Sequence, residues 1–204
     1  MPTNTTTEKF LAGNEKWRPS WKTPPTMEQI RKVGMGPENP LLVSTTPSPR
    51  HHPPFTTSAN RPFAYRVVTC MDPRCDPSQF LGGDLLFATM RNAGGRVTED
   101  VIRTIAVLRS LNTVSEQGTV AVVHHTDCGM THLTDPDVLA DVKRRTPAEA
   151  GRVEDMELGF FTAEEFEETI RKDVKVLKGE KLLEGMDVLG YALITETGEL
   201  KLVE

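Results

Sequence analysis

The sequence predicts an α/β fold: a single domain with a mostly parallel central β-sheet flanked by helices, preceded by an extended N-terminal arm. Three observations predict it. From residue 61 onward, short β-rich runs alternate with amphipathic helical segments, and that alternation implies a parallel sheet covered on both faces. The run Thr119–Val123 is continuously apolar, as expected of a strand buried on both sides. Residues 1–60 have another character, rich in Thr and Pro with few periodic apolar positions. The chain therefore divides into 1–60, a partly helical arm, and 61–204, the α/β domain. A length of 204 residues leaves little room for a second independent domain.

Within the arm, Glu8–Trp17 predicts a short helix with Phe10, Leu11, Asn14 and Trp17 along one side, and Met27–Val33 predicts another. Residues 34–60 read either as an irregular arm wrapping over the body or a neighbouring subunit, or as a disordered tail. Trp17, Trp21 and Phe55 are the anchors that favour docking. In the domain, Phe63–Thr69 is a β-rich run that delivers Cys70 at its end, and Leu85–Thr89 is a second strand, followed by Arg91–Gly95. Thr98 caps a helix with Glu99 and Asp100 in its first turn, where the dipole favours anions, and Val101, Ile105, Leu108 and Leu111 fall at helical spacing. Thr119–Val123 ends at His124. Asp135 followed by Pro136 reads as an N-cap with proline at the first helical position, opening a helix to about Arg144. Thr162 and Glu165 form a capping box, Phe161 staples to Phe166, and Phe166, Ile170, Val174 and Leu177 make the buried stripe of that helix. Val188–Ile194 and Glu199–Val203 are closing strands around the turn Thr195–Gly198.

Composition excludes several classes. The net charge of −5, with no basic cluster beyond pairs such as Arg144 and Arg145, argues against a nucleic-acid surface. No apolar run approaches the roughly 20 residues of a membrane helix, and the N-terminus lacks an apolar or arginine-rich targeting pattern. The expectation is a soluble cytoplasmic protein. Three cysteines cannot all pair internally, and thiols in such a chain point to metal or reactivity.

The chemistry concentrates in Cys70-Met71-Asp72-Pro73-Arg74 and His124-His125-Thr126-Asp127-Cys128-Gly129-Met130. Two cysteines and a histidine stand beside a carboxylate and a guanidinium, an inventory suited to zinc with one controllable coordination position. Both stretches follow a predicted strand, and in such sheets ligands bind beyond the carboxyl ends of the strands. If residues 70–74 stay extended, Cys70, Asp72 and Arg74 face one cleft. The alternative makes Cys70 and Cys128 small buried hydrophobes, but Asp72, Arg74, His125 and Asp127 would then load that core with polar groups. Cys75 lacks such company and reads as a packing residue, with an oxidisable thiol as the alternative. No cysteine sits in a recognisable nucleophile loop.

Together with Arg91-Asn92-Ala93-Gly94-Gly95, these motifs resemble the β-class carbonic anhydrases, and look most like a small-subunit branch that includes carbonyl sulfide hydrolases. The resemblance covers the body from about residue 61, and more weakly Lys9–Trp17. It implies that Cys70, His125 and Cys128 bind one Zn2+ per subunit, and that Asp72 and Arg74 form the catalytic pair gating the fourth position. A carboxylate on the metal would close the site, whereas one held in the fork of Arg74 would leave it open. It implies substrate contacts from Asn92, Ala93, Gly94, Gly95 and Gly129, although Asn92–Gly95 is equally read as a plain strand-to-helix turn. His124, pointing away from His125 on a strand, is expected in the core or behind the ligands. Asp127 either orients a ligand or serves only as a turn residue. The implied reaction is attack of a zinc-bound hydroxide on a small linear heterocumulene, carbon dioxide or carbonyl sulfide, in a homodimer or homotetramer to which the arm contributes. With two thiolates on the metal, activity is expected to favour alkaline pH. The other class of function is a non-catalytic zinc-binding or sensor module. The segment from Gly83 to Asn92, the lack of a clear counterpart to the family's substrate-binding glutamine (Gln79 is poorly placed) and the long stretch 34–60 depart from the family around the pocket mouth. They leave the substrate open.

Overall fold

In the computed structural model, residues 5–24, 26–29, 63–81, 87–110 and 114–204 are described. The expectations for residues 30–33, 34–60, 85–86 and 111 lie outside them. Helix α1 (Thr5–Trp17) is followed by strands β1 (Phe63–Cys70) and β2 (Phe87–Asn92), helix α2 (Glu99–Ser110) and strand β3 (Val114–His125). Helices α3 (Asp135–Arg145) and α4 (Phe166–Gly179) then precede strands β4 (Asp187–Ile194) and β5 (Glu199–Leu202). The strands form one sheet in the order β2-β1-β3-β4-β5. The first four run parallel and β5 antiparallel, so the mostly parallel α/β sheet expected from the sequence is present.

The continuous apolar run of β3 is explained by its two neighbouring layers. Val120 and Val122 join Val68, Ile105, Ile170 and Val174 on the face covered by α2 and α4. Ala121 and Val123 point the other way, to Val67, Phe10 and Tyr191. Helix α1 begins at Thr5, three residues before the expected start, and seats the fully buried Phe10 with ring centroids 5.2 Å from Tyr65 and 5.6 Å from Tyr191. Asn14 lies in that buried face because its amide has work to do. It donates to Phe80 O (3.1 Å) and Gly198 O (2.9 Å) and accepts from Leu200 N (2.9 Å). The described part of the arm thus sits on its own chain's sheet. Of the second arm helix, residues 27–29 are helical.

Three local expectations are corrected. Strand β2 continues past Thr89 through Arg91 to Asn92, the first residue of the expected turn, because the parallel ladder with β1 extends to the pair Cys70 and Asn92. As an edge strand, β2 tolerates such polar residues. The cap of α3 is Thr134 rather than Asp135: the Asp137 carboxylate accepts the Thr134 N–H (2.8 Å) and hydroxyl (2.7 Å), which moves Pro136 one place further in. The capping box at Thr162 and Glu165 forms as read, with bonds of 3.0 and 3.3 Å, but regular helix begins only at Phe166. No helix among the described residues is long and apolar enough to cross a membrane.

Candidate metal centre

Neighbouring parallel strands β1 and β3 end at the same rim of the sheet, at Cys70 and His125. A tight turn through Thr126 and Asp127 then brings Cys128 back beside them. The ligand atoms of Cys70, His125 and Cys128 all lie within 4.8 Å of one another, and the three residues are buried. The two sulfurs are 3.9 Å apart, against about 3.8 Å for two thiolates on a tetrahedral zinc with Zn–S bonds of about 2.3 Å. His125 Nδ1 is 3.0 Å from Thr126 O, a contact that makes Nδ1 the protonated nitrogen and leaves Nε2 with a lone pair. That buried Nε2 has no hydrogen-bond partner among the described residues. An orphaned acceptor beside two thiols is costly as it stands; as a donor set, it fits zinc.

The thiols reinforce this. Across this contact Cys70 and Cys128 titrate as a pair, each thiol acting on the other so that one is more acidic and the other less acidic than a free cysteine. Cys75 is different. It is wholly buried in the apolar cluster, and burial pushes its pKa up, which matches the packing role expected for it.

Asp72 and Arg74 come together at this rim, though not by the expected route. Residues 73–75 form a 3-10 turn rather than extended chain, and Asp72 caps it by accepting the Arg74 N–H at 2.9 Å. The capped turn folds Arg74 back, so that its Nε and Nη2 donate to the two Asp72 oxygens at 3.0 and 2.8 Å. Asp72 Oδ2 is 4.0 Å from His125 Nε2. Burial alone would raise the Asp72 pKa, but the hydrogen bonds and charge of Arg74 outweigh it and hold the carboxyl below its usual range.

Asn92–Gly95 lies directly on this site. Asn92 pairs with Cys70 across the ladder, its Nδ2 donates to Arg96 O at 2.8 Å, and its Oδ1 is buried without a partner among the described residues. Gly95, with φ of 69°, packs so closely that a Cβ there would stand 2.8 Å from Cys70 N. The close approach made by this glycine is therefore to the ligand strand itself. A Cβ on Gly94 would meet Met130 at 3.0 Å, so the turn also touches the segment after Cys128, where Gly129 faces Met27 of the arm.

His124 points away from His125, as expected. It stacks on Phe161 with centroids 5.9 Å apart and brings Nε2 to 3.2 Å from Asp173 of α4. Asp173 also accepts from Arg96 Nε at 2.8 Å and Nη2 at 3.1 Å. Three participants were missed from the sequence. Arg91 clamps the ligand loop by donating to Cys70 O (3.1 Å) and Asp72 O (2.7 Å). Arg96 and Asp173 pair with each other behind the site, beside His124. Their partners lie many residues away in sequence, and no local pattern announces such pairs. Asp127, for which the sequence leaves a ligand-orienting role or only a cap or turn role, does lie in the turn before Cys128 and from there also holds Arg74.

No family model matches the chain. Individual relatives do. Beta-carbonic anhydrase 1 of Mycobacterium tuberculosis is 40% identical over 83 residues, covering 39% of this chain and 48% of the relative. A carbon disulfide hydrolase of an Acidianus strain is 42% identical over 73 residues, 35% of this chain and 34% of the relative. The matches thus span about half or less of the length of these curated relatives. Among solved structures, a carbonic anhydrase of Streptococcus mutans superposes with a TM-score of 0.62 at 34% identity, covering 71% of this chain and 84% of that one.

Proposed function

The chain belongs to the β-carbonic anhydrase family, and from that premise we propose that it is a zinc enzyme adding water to a small linear heterocumulene. The observation that carries the reading is the buried group Cys70, His125 and Cys128 with the Asp72–Arg74 pair at its mouth. These three residues would hold one zinc ion per chain. Bound there, zinc supplies Lewis acidity that makes water a nucleophile near neutral pH. The chain's own part is positional. Arg74, pairing both oxygens of Asp72, keeps that carboxylate from serving as a fourth ligand. His125 is kept in one tautomer by Thr126 O, and Arg91 fixes the backbone between Cys70 and Asp72. Asn92, Ala93, Gly94 and Gly129 are assigned to the substrate side, and Gly95 supports them by its packing on the backbone of Thr69 and Cys70.

Carbon dioxide is the first substrate to consider, taking up water to give bicarbonate and a proton. Carbonyl sulfide would give carbon dioxide and hydrogen sulfide, and carbon disulfide, on which a relative acts by its name, would release two hydrogen sulfides in two hydrolytic rounds. Measuring carbon dioxide hydration, and sulfide release from the other two, on one zinc-loaded sample tests the reading. Turnover of at least one that is abolished by a chelator and restored by zinc is expected; turnover of none sinks it. With the family also come the assignment of 1–60 as arm and 61–204 as catalytic unit, a cytoplasmic location, and a homodimer or homotetramer, which light scattering on the purified chain would test.

A further inference from the structure

Asp127 has no task in the reading above, yet it is among the most engaged residues of the site. Its backbone adopts φ of 53°, a left-handed conformation that few residue types other than glycine accept. There, both its polar groups turn on Arg74: Nη1 donates to Oδ2 at 2.8 Å and Nη2 to the main-chain O at 2.8 Å. Arg74 is thereby gripped along two edges, Asp72 taking one and Asp127 the other, and the guanidinium plane is fixed. Asp127 is in turn held from outside. His132 Nε2 lies 3.0 Å from Oδ1, and the Met27 N–H donates to Oδ2.

That last donor belongs to the arm. Thr26 and Gln29 bond reciprocally, Thr26 N to Gln29 Oε1 at 2.8 Å and Gln29 N to Thr26 Oγ1 at 3.2 Å. They make Met27 the first residue of a helical turn, whose N–H has no partner within the turn. The Met27 side chain lies over Gly129, its Cε 3.6 Å from where a Cβ would stand.

We propose that Asp127 is the positioning residue of the Arg74 fork, and that the Thr26–Gln29 turn of the arm acts through it, favouring the arrangement in which Asp72 is given to Arg74. The inference rests on the zinc reading of the site. Without the Asp127 carboxylate, Arg74 loses the acceptor of its Nη1 at this rim, and its side chain is left with one of the two carboxylates that grip it. Its plane is then free to swing, and Asp72 is free to leave it for the metal.

Three variants of the full zinc-loaded chain test this. Asp127→Gly removes the carboxylate while accepting the left-handed backbone. Asp127→Asn keeps an oxygen for Arg74. Met27→Pro deletes the N–H, at a helical position where proline is tolerated, and with it the side chain over Gly129, for which Met27→Ala, keeping the N–H, is the control. Zinc content, kcat and KM on whichever substrate the wild type turns over, and the crystal structure of each zinc-loaded variant are the readouts. Asp127→Gly is expected to retain zinc, lose about tenfold or more in kcat, and place Asp72 away from Arg74. Asp127→Asn should recover most of that loss, and Met27→Pro should show a several-fold share of it with KM little changed. Asp127→Gly with wild-type kcat and an unmoved Asp72 overturns the proposal, as does loss of zinc, which would make Asp127 a support of the ligand loop. A wild-type Met27→Pro beside an impaired Asp127→Gly overturns the part given to the arm. A wild-type protein that binds no zinc and turns over nothing defeats the underlying reading instead.

Discussion

Two arginine–carboxylate–histidine clusters flank the histidine pair at the end of β3. On the side of His125, Arg74 lies between Asp72 and Asp127, with His132 beyond; on the side of His124, Arg96 and His124 share Asp173. The parts are the same and the settings differ. Asp173 and His124 have side chains 3% and 0% exposed and bridge a helix to the sheet. The first cluster lies at the rim, on short turns, and its Asp72 stands 4.0 Å from His125 of the candidate ligand group, so that a metal held there would be a second partner for it. A carboxylate with one possible set of partners fixes a structure, and one with two can act as a switch. The rear cluster is therefore assigned to stability and the rim cluster to activity.

The strongest way to break this contrast is Asp173→Ala. It leaves Arg96 with Gly159 O but without its carboxylate, and takes the same carboxylate from beside the buried His124, and removing one partner of a buried pair costs about 3–5 kcal/mol. A fall in melting temperature of roughly 6–20 °C follows, while kcat per folded molecule stays near wild type. A large loss of kcat with unchanged melting would reverse the assignment. At the rim, Arg74→Ala should do the opposite. It is expected to cost about a hundredfold in kcat/KM, the scale of a misplaced active-site group, with bound zinc retained and melting lowered less than in Asp173→Ala, because the carboxylates it leaves behind are nearer solvent, at 10% and 19% exposure.

Acid sharpens the comparison. Burial opposes the charge of Asp173, but the bonds from His124 and Arg96 prevail and hold its carboxyl below the usual range. Its folded pKa being depressed, its contribution is complete above the unfolded value of about 3.9 and fades as pH falls through the folded value. Thermal melts from pH 6 to pH 2.5 should show stability dropping below about pH 4, and Asp173→Asn should flatten that drop. Asp72 and Asp127 are depressed in the same direction, so the variant flattens the curve only in part. An equally steep drop in the variant would remove Asp173 from the account. The smallest effect is expected where neither setting applies. Arg171 and Glu167 pair on the exposed face of α4 at 2.8 Å, and Arg171→Ala should cost well under about 1 kcal/mol in a denaturant titration.

What the sequence disclosed follows the same division. The candidate ligands were legible because Cys70 and His125 end strands and Cys128 follows one turn later, and periodicity locates strand ends. His125 was separable from His124 because alternate residues of a strand face opposite ways. Asp72 and Arg74 were placed together for a partly wrong reason, since an extended segment was expected where a capped turn folds Arg74 back. The turn was hidden in Pro73 and the capping aspartate. Asp173, Arg96 and Arg91 were illegible, because their roles arise only when α4 and β2 come to lie beside β3 and β1. The Asp135 cap failed by one residue because Asp137 offered Thr134 a reciprocal partner. The role of Asp127 hung on a left-handed backbone that no local motif declared.

The most direct test of the central claim is the zinc-edge X-ray absorption spectrum of the purified full chain, with metal content measured on the same sample. The account predicts one zinc per chain with two sulfur neighbours and one imidazole nitrogen. A chain that takes up no zinc, or one whose zinc has no sulfur neighbours, would contradict it.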